Sequence, residues 1–163
     1  MPEEAQVIVS AVGSVPGIGQ PLIDEVILKL NRAAENAAPQ ALDILVGAIT
    51  NITITDAIGI VNGDRDAATV YLRSATEQQI STAFRPHIET SLETVGAQQA
   101  WGQMTGIYNA VPFVDDVNTD LAAYTTDKAL DGLFHLVAEE EGKIREDPVH
   151  RVSEILQQVF GGN

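Results

Sequence analysis

The sequence predicts an all-α fold: one compact multi-helix bundle of about eight helices, a single helical domain over residues 1–163. Three observations carry that prediction. Apolar residues recur at helical spacing in almost every segment, and helix start and stop signals bracket those segments. The residues left to fill a core are Ala, Val, Ile and Leu, since aromatics make up only 5% of the chain. That mix suits close helix packing, and 163 residues suffice for a sizeable core.

The segment from Tyr124 to Pro148 organises the rest. Leu130, Leu133, Phe134, Val137 and Ile144 form one apolar stripe. Thr125 or Thr126 is the expected cap, Asp127 suits the positive end of the helix, and Asp147-Pro148 closes it. A helix this long and two-faced requires other helices to cover its stripe.

The remaining elements follow in order. Residues 5–15 read as a short helix, with a strand left open by the β-prone Val-Ile-Val at 7–9. Gly13, Pro16, Gly17 and Gly19 then break the chain. From about residue 21 to 38, Ile23, Val26, Ile27, Leu30, Ala33, Ala34 and Ala37 share a helical face. Residues 39–51 are apolar nearly all round, which predicts a buried helix. Thr53 or Thr55 with Asp56 opens a short helix, and Gly63 stands where a C′ glycine belongs. Asp64 is the expected N-cap of a helix over 66–75, with Thr76 and Gln79 as a capping box for the next. That next helix kinks or restarts at Pro86 and ends at Gly96. Residues 97–109 form another helix, with Trp101, Met104, Ile107 and Tyr108 as its large side chains. Residues 109–118 read as an irregular loop and 119–123 as a turn of helix. Pro148 suits a first helical position, and Val152, Ile155, Leu156 and Val159 form the last seam.

Charge and composition exclude several functions. With 23 acidic residues against 9 basic ones, the net charge is −14, and no run of Lys or Arg appears. Such a surface repels nucleic-acid backbones and anionic lipid, so nucleic acid is not an expected partner. The chain has no cysteine, which excludes disulfides, thiol catalysis and thiolate metal sites. No apolar run reaches the roughly 18–20 residues needed to cross a bilayer, so no transmembrane segment is expected. Met-Pro-Glu-Glu at the start lacks the basic and apolar regions of a signal peptide.

Two polar clusters are the candidate sites. Asn31, Arg32 and Glu35 lie on one turn of helix, and Glu140 and Glu141 lie beside the seam of the Tyr124–Pro148 helix. Continuing that seam turns one of the two glutamates inward, where a carboxylate needs a partner; Arg32 is the candidate. The set Asn31, Arg32, Glu35, Glu140 and Glu141 is thus expected to bind a ligand or to pair structurally. Asp64 and Asp66, in the turn Asn62-Gly-Asp-Arg-Asp66, are the candidate metal ligands, although the calcium-loop pattern is missing and helix capping accounts for both. Glu139/Lys143 and Glu141/Arg145 are spaced as pairs on a solvated face, and Asp131/His135 as a surface hydrogen bond. The loop Val111-Pro-Phe-Val114 is an apolar contact candidate if exposed and a core anchor if buried. Nucleophile elbows, phosphate loops and histidine pairs are missing from the sequence, so an enzyme is not favoured and no cofactor is indicated.

Several stretches together resemble a bacterial domain-of-unknown-function family, number 4197. They are Leu30-Asn-Arg-Ala-Ala-Glu35, Gly63-Asp-Arg-Asp-Ala-Ala-Thr69 with Tyr71-Leu72, and Lys128-Ala-Leu-Asp-Gly-Leu-Phe134. Ala138-Glu-Glu-Glu141, Lys143-Ile-Arg145, Asp147-Pro148 and Val159-Phe-Gly161 continue the match, which runs from about residue 9 to the end. The resemblance implies an exported, all-helical protein, periplasmic or secreted, with the family's N-terminal segment missing here. It implies no activity. Where the family more often reads Gly-Gly-Asp-Asp, this chain has Gly63-Asp-Arg-Asp66, which sets an arginine inside the acidic turn and weakens a cation site there. The expected function is a non-catalytic extracytoplasmic module that binds a protein partner or an apolar small molecule. The alternatives are a divalent-cation protein, enzyme or not, that uses the acidic cluster, and a structural or assembly protein.

Overall fold

Every regular element among the described residues is helical. The structure, a computed structural model, describes residues 3–110, 120–150 and 152–161. The helices are α1 (Glu3–Gly13), α2 (Gly19–Ala37), α3 (Ala41–Thr50), α4 (Ile54–Asn62), α5 (Ala67–Thr94), α6 (Ala97–Asn109), α7 (Leu121–Glu146) and α8 (Glu154–Phe160). Single 3-10 turns occupy Ala38–Gln40 and Pro148–His150. No single helix among these residues is long and apolar enough to cross a membrane. The Val111–Val114 contact candidate lies outside the described residues.

The chain divides into two compact units: Met1–Pro39 with Ala83–Ala129, and Gln40–Thr82 with Leu130–Asn163. In the first unit α1, α2 and α6 pack on one another. Ile23, Val26, Leu30, Ala33 and Ala37 of α2 are buried, as the spacing predicts, together with Ile8, Val12, Phe84, Ile88, Leu92, Trp101 and Met104. Gly19 permits the approach of α1 and α2, because a Cβ there would run into the Val12 carbonyl. Gly96 ends α5 with φ +68, the left-handed conformation that glycine adopts without penalty.

The start of α7 differs from the sequence expectation. The Ala123 amide donates to Asp120 Oδ1 at 2.9 Å, so Asp120 is the cap and α7 begins before Thr125 and Thr126. Both threonines are buried one turn inside, and the Thr126 hydroxyl donates to the Ala122 carbonyl at 2.7 Å. The Ala123 amide, and then Arg85, hold the Asp120 carboxyl below its usual range.

In the second unit, Thr53, one of the two threonines the sequence offers as the opening of α4, is its cap and forms a capping box with Asp56. Three other expectations are corrected. First, α5 is continuous through both Thr76 and Pro86. Thr76 does not cap: its buried hydroxyl bonds back to the Leu72 carbonyl at 2.6 Å, a use of threonine inside a helix. Second, α3 is not a buried helix. Only Ala41 is buried, while Leu42, Val46 and Ile49 are exposed, because a helix that is apolar on every side turns only one of them inward. Third, Pro148 opens a 3-10 turn, and α8 starts later with Ser153 as its cap.

Candidate functional site

The chemistry of the second unit converges on one ion pair of α7. Glu141 and Arg145 are one helical turn apart, so their side chains lie over each other. Arg145 Nη2 donates to Glu141 Oε1 at 2.7 Å, and Arg145 Nε donates to the same oxygen at 2.9 Å. The two side chains are only 12% and 10% exposed. This corrects the solvated face expected for the pair.

Neither charge depends on the other alone. Glu141 accepts the backbone amides of Ala68 at 2.9 Å and Thr69 at 2.8 Å, and the Thr69 hydroxyl at 2.8 Å. These amides sit at the second and third positions of α5, where a capping side chain normally accepts. Arg145 Nη2 also donates to the Ile60 carbonyl at 2.7 Å, with Nη1 3.4 Å from the Val61 carbonyl. Those carbonyls belong to the last turn of α4, where the Ile60 carbonyl also accepts the Gly63 amide at 3.3 Å. The anion thus meets the positive start of α5 and the cation meets the negative end of α4. One pair on α7 clasps both sides of the α4–α5 turn.

Burial alone would push the Glu141 carboxyl up. The two amides, then Arg145 and the Thr69 hydroxyl, outweigh it and hold the pKa below the ordinary Glu value. Arg145 also lies over the Phe160 ring, 5.2 Å from its centroid, which joins α8 to the clasp.

Beside the clasp is a cleft of about 390 Å³. Its walls are mainly Ile60 and Val61 of α4, Val137 and Ile144 of α7, and Leu156 and Phe160 of α8. The polar groups on its wall include Glu141 and Arg145, whose hydrogen bonds are already made within the protein.

The DUF4197 sequence model matches residues 1–161. The chain belongs to the DUF4197 family. That family is described only as a protein of unknown function. No curated protein and no solved structure shows a significant match to the chain.

In this DUF4197 chain the residues of the expected polar cluster belong to both units. Asn31, Arg32 and Glu35 lie exposed on α2 in the first unit. Glu140, in the second, is exposed and takes Lys143 as its partner at 2.5 Å. Glu141 is the inward carboxylate, and within its unit its partners are Arg145 and the start of α5. The sequence signal for Glu141 was a carboxylate in register with the Leu130, Phe134, Val137 and Ile144 stripe; nothing local pointed to its acceptor role for Ala68 and Thr69.

The candidate metal ligands Asp64 and Asp66 are both exposed, just before α5. Their carbonyls accept the Ala67 and Val70 amides at 3.1 and 2.9 Å. Arg65 between them pairs with Glu146 at 2.5 Å. Among the described residues no group of three or more His, Asp or Glu side chains is placed to hold a metal ion. Asp131 pairs with Arg73 at 3.0 Å, while His135 faces Glu139 at 3.4 Å. The expected Asp131–His135 bond is thereby replaced by two separate pairs.

Proposed function

We propose that this DUF4197 chain is a non-catalytic binding module, and that the cleft between α4, α7 and α8 holds an apolar small molecule. One observation carries the reading: the cleft is apolar, and the Glu141–Arg145 pair beside it is already satisfied. A wall of that kind offers a ligand little polar recognition, so affinity comes from removing apolar surface from water. The size supports it, since ligand pockets run from about 300 to 1,000 Å³. The family resemblance supports a setting outside the cytoplasm.

A neutral fluorescent probe, N-phenyl-1-naphthylamine, tests the reading. Its emission should rise to saturation on titration with protein. Val137→Trp, which fills the cleft, should weaken binding roughly tenfold or more, about 1.4 kcal/mol. Leu156→Gln should weaken it as well, and keeps the test open if the larger residue impairs folding. Ile58→Lys, an exposed position on α4 outside the cleft lining, should leave binding unchanged. Binding that does not saturate, or that survives both cleft variants in folded protein, overturns the proposal.

A second reading, docking of a protein partner, is favoured by the outward apolar side chains of α3 and α4, among them Leu42, Ile49 and Ile54. Loss of partner capture in Ile58→Lys with probe binding intact would select it.

A further inference from the structure

The first unit contains a separate cavity of about 300 Å³ between α2 and the first turns of α7. Ile27, Leu30 and Ala34 of α2 give it an apolar body. Among the described residues no acidic side chain lines it. The ammonium on its wall, Lys128, is exposed and already has a partner within the protein. Burial is the main influence on the Tyr124 phenol and pushes its pKa up, with Lys128 a smaller opposing influence, so the phenol is a neutral donor at neutral pH. The cavity thus combines apolar surface with neutral donors and holds no uncommitted charge.

Thr125 is the buried polar side chain of the lining. It is 2% exposed, and its hydroxyl has no hydrogen-bond partner among the described residues. Its place inside a helix makes that unusual, because a helical threonine ordinarily donates to the carbonyl three or four residues back. Thr76, Thr82, Thr90, Thr94, Thr105 and Thr126 each donate to the fourth residue back, at 2.6–3.0 Å. For Thr125 the fourth residue back is Leu121, in the same helix, and that bond is not made. Buried polar atoms are nearly always paired, so an orphaned hydroxyl on a residue that lines a cavity calls for an acceptor.

We infer that this cavity binds a small uncharged carbonyl compound, its oxygen accepting from the Thr125 hydroxyl and its hydrocarbon body lying against Ile27, Leu30 and Ala34. A carbonyl oxygen has two lone pairs and no proton of its own to place, which matches a wall whose Thr125 and Tyr124 hydroxyls both donate. A carboxylate would bring a charge into a place that penalises one and offers no free counter-charge. A pure hydrocarbon would leave the Thr125 hydroxyl without an acceptor. This site selects by a hydrogen bond and the cleft of the second unit by apolar surface, so neither reading depends on the other.

Two-dimensional amide NMR of the full chain tests it, with cyclohexanone as probe and cyclohexanecarboxylate as its charged counterpart. Cyclohexanone should shift the amides of residues 27–34 and 124–129 to saturation, and the carboxylate should bind roughly tenfold more weakly or worse. Thr125→Val keeps the shape of the side chain and removes the hydroxyl, so it should weaken cyclohexanone binding about fivefold. Ala34→Leu, which fills the cavity, should weaken it roughly tenfold or more, and keeps the test open if the valine variant folds poorly. Wild-type affinity in either variant as folded protein, a carboxylate that binds as tightly as the ketone, or no saturable shift in these two stretches would each overturn the assignment.

Discussion

Glu141 and Thr69 are joined twice: the Thr69 backbone amide and its hydroxyl each donate to Glu141 Oε2 at 2.8 Å. This carboxylate ends a helix that its own sequence neighbourhood does not contain. Glu141→Ala removes the acceptor from two amides and leaves Arg145 with its main counter-charge gone. The expected cost is about 3 kcal/mol, read from thermal or denaturant unfolding followed by circular dichroism. Thr69→Val removes only the hydroxyl bond and should cost about 1 kcal/mol. Equal stabilities for Glu141→Ala and wild type would refute the clasp.

The same carboxylate sets a pH dependence. Its pKa in the folded protein lies below the ordinary Glu value, burial being outweighed by the Ala68 and Thr69 amides and then by Arg145. A depressed folded pKa contributes stability that is present above the unfolded value, about 4.3, and is lost as pH falls through the folded one. Between pH 6 and pH 3 the melting temperature of wild type should therefore fall more than that of Glu141→Gln. Parallel curves for the two proteins would show that this group contributes nothing to acid sensitivity.

Two glycines should respond to alanine with opposite signs. Gly132 on α7 is exposed, and a Cβ there meets nothing within 4 Å. Gly132→Ala should stabilise by about 0.5–1 kcal/mol through helix propensity alone. A Cβ on Gly19 would meet the Val12 carbonyl, with its carbon at 2.8 Å. Backbone cannot swing aside as a side chain can, so Gly19→Ala should destabilise by about 1–3 kcal/mol. Differential melting of the two variants against wild type checks both signs at once.

The helices were legible because their signals are local. The Thr53–Asp56 capping box, the left-handed Gly96 and the buried face of α2 at Ile23, Val26, Leu30, Ala33 and Ala37 each stand within a few residues of the structure they specify. Thr76 was misread because one hydroxyl can either cap a new helix or bond back inside an existing one, and the surrounding residues permit both. The buried reading of α3 failed for a related reason. Leu42, Val46 and Ile49 report a preference to leave water, but not whether anything covers them. The clasp was half legible. Glu141 stands out as a carboxylate on an apolar stripe, but its partners Ala68 and Thr69 offer amides that any residue would offer. Asn31 was singled out with Arg32 and Glu35, yet its neighbours in the first-unit cavity are Tyr124, Thr125 and Lys128, brought together only by the fold.

A ribosome releases this chain from its N-terminus, and Thr69 emerges 72 residues ahead of the Glu141 that ends its helix. At about 5–20 residues per second, that interval lasts roughly 4–15 s. Throughout it, the start of α5 is a nascent turn with unfilled amides, and residues 40–82 lack the downstream half of their unit. The order of synthesis therefore places completion of the second unit after translation of nearly the whole chain, and leaves its early half dependent on whatever shelters it in the meantime.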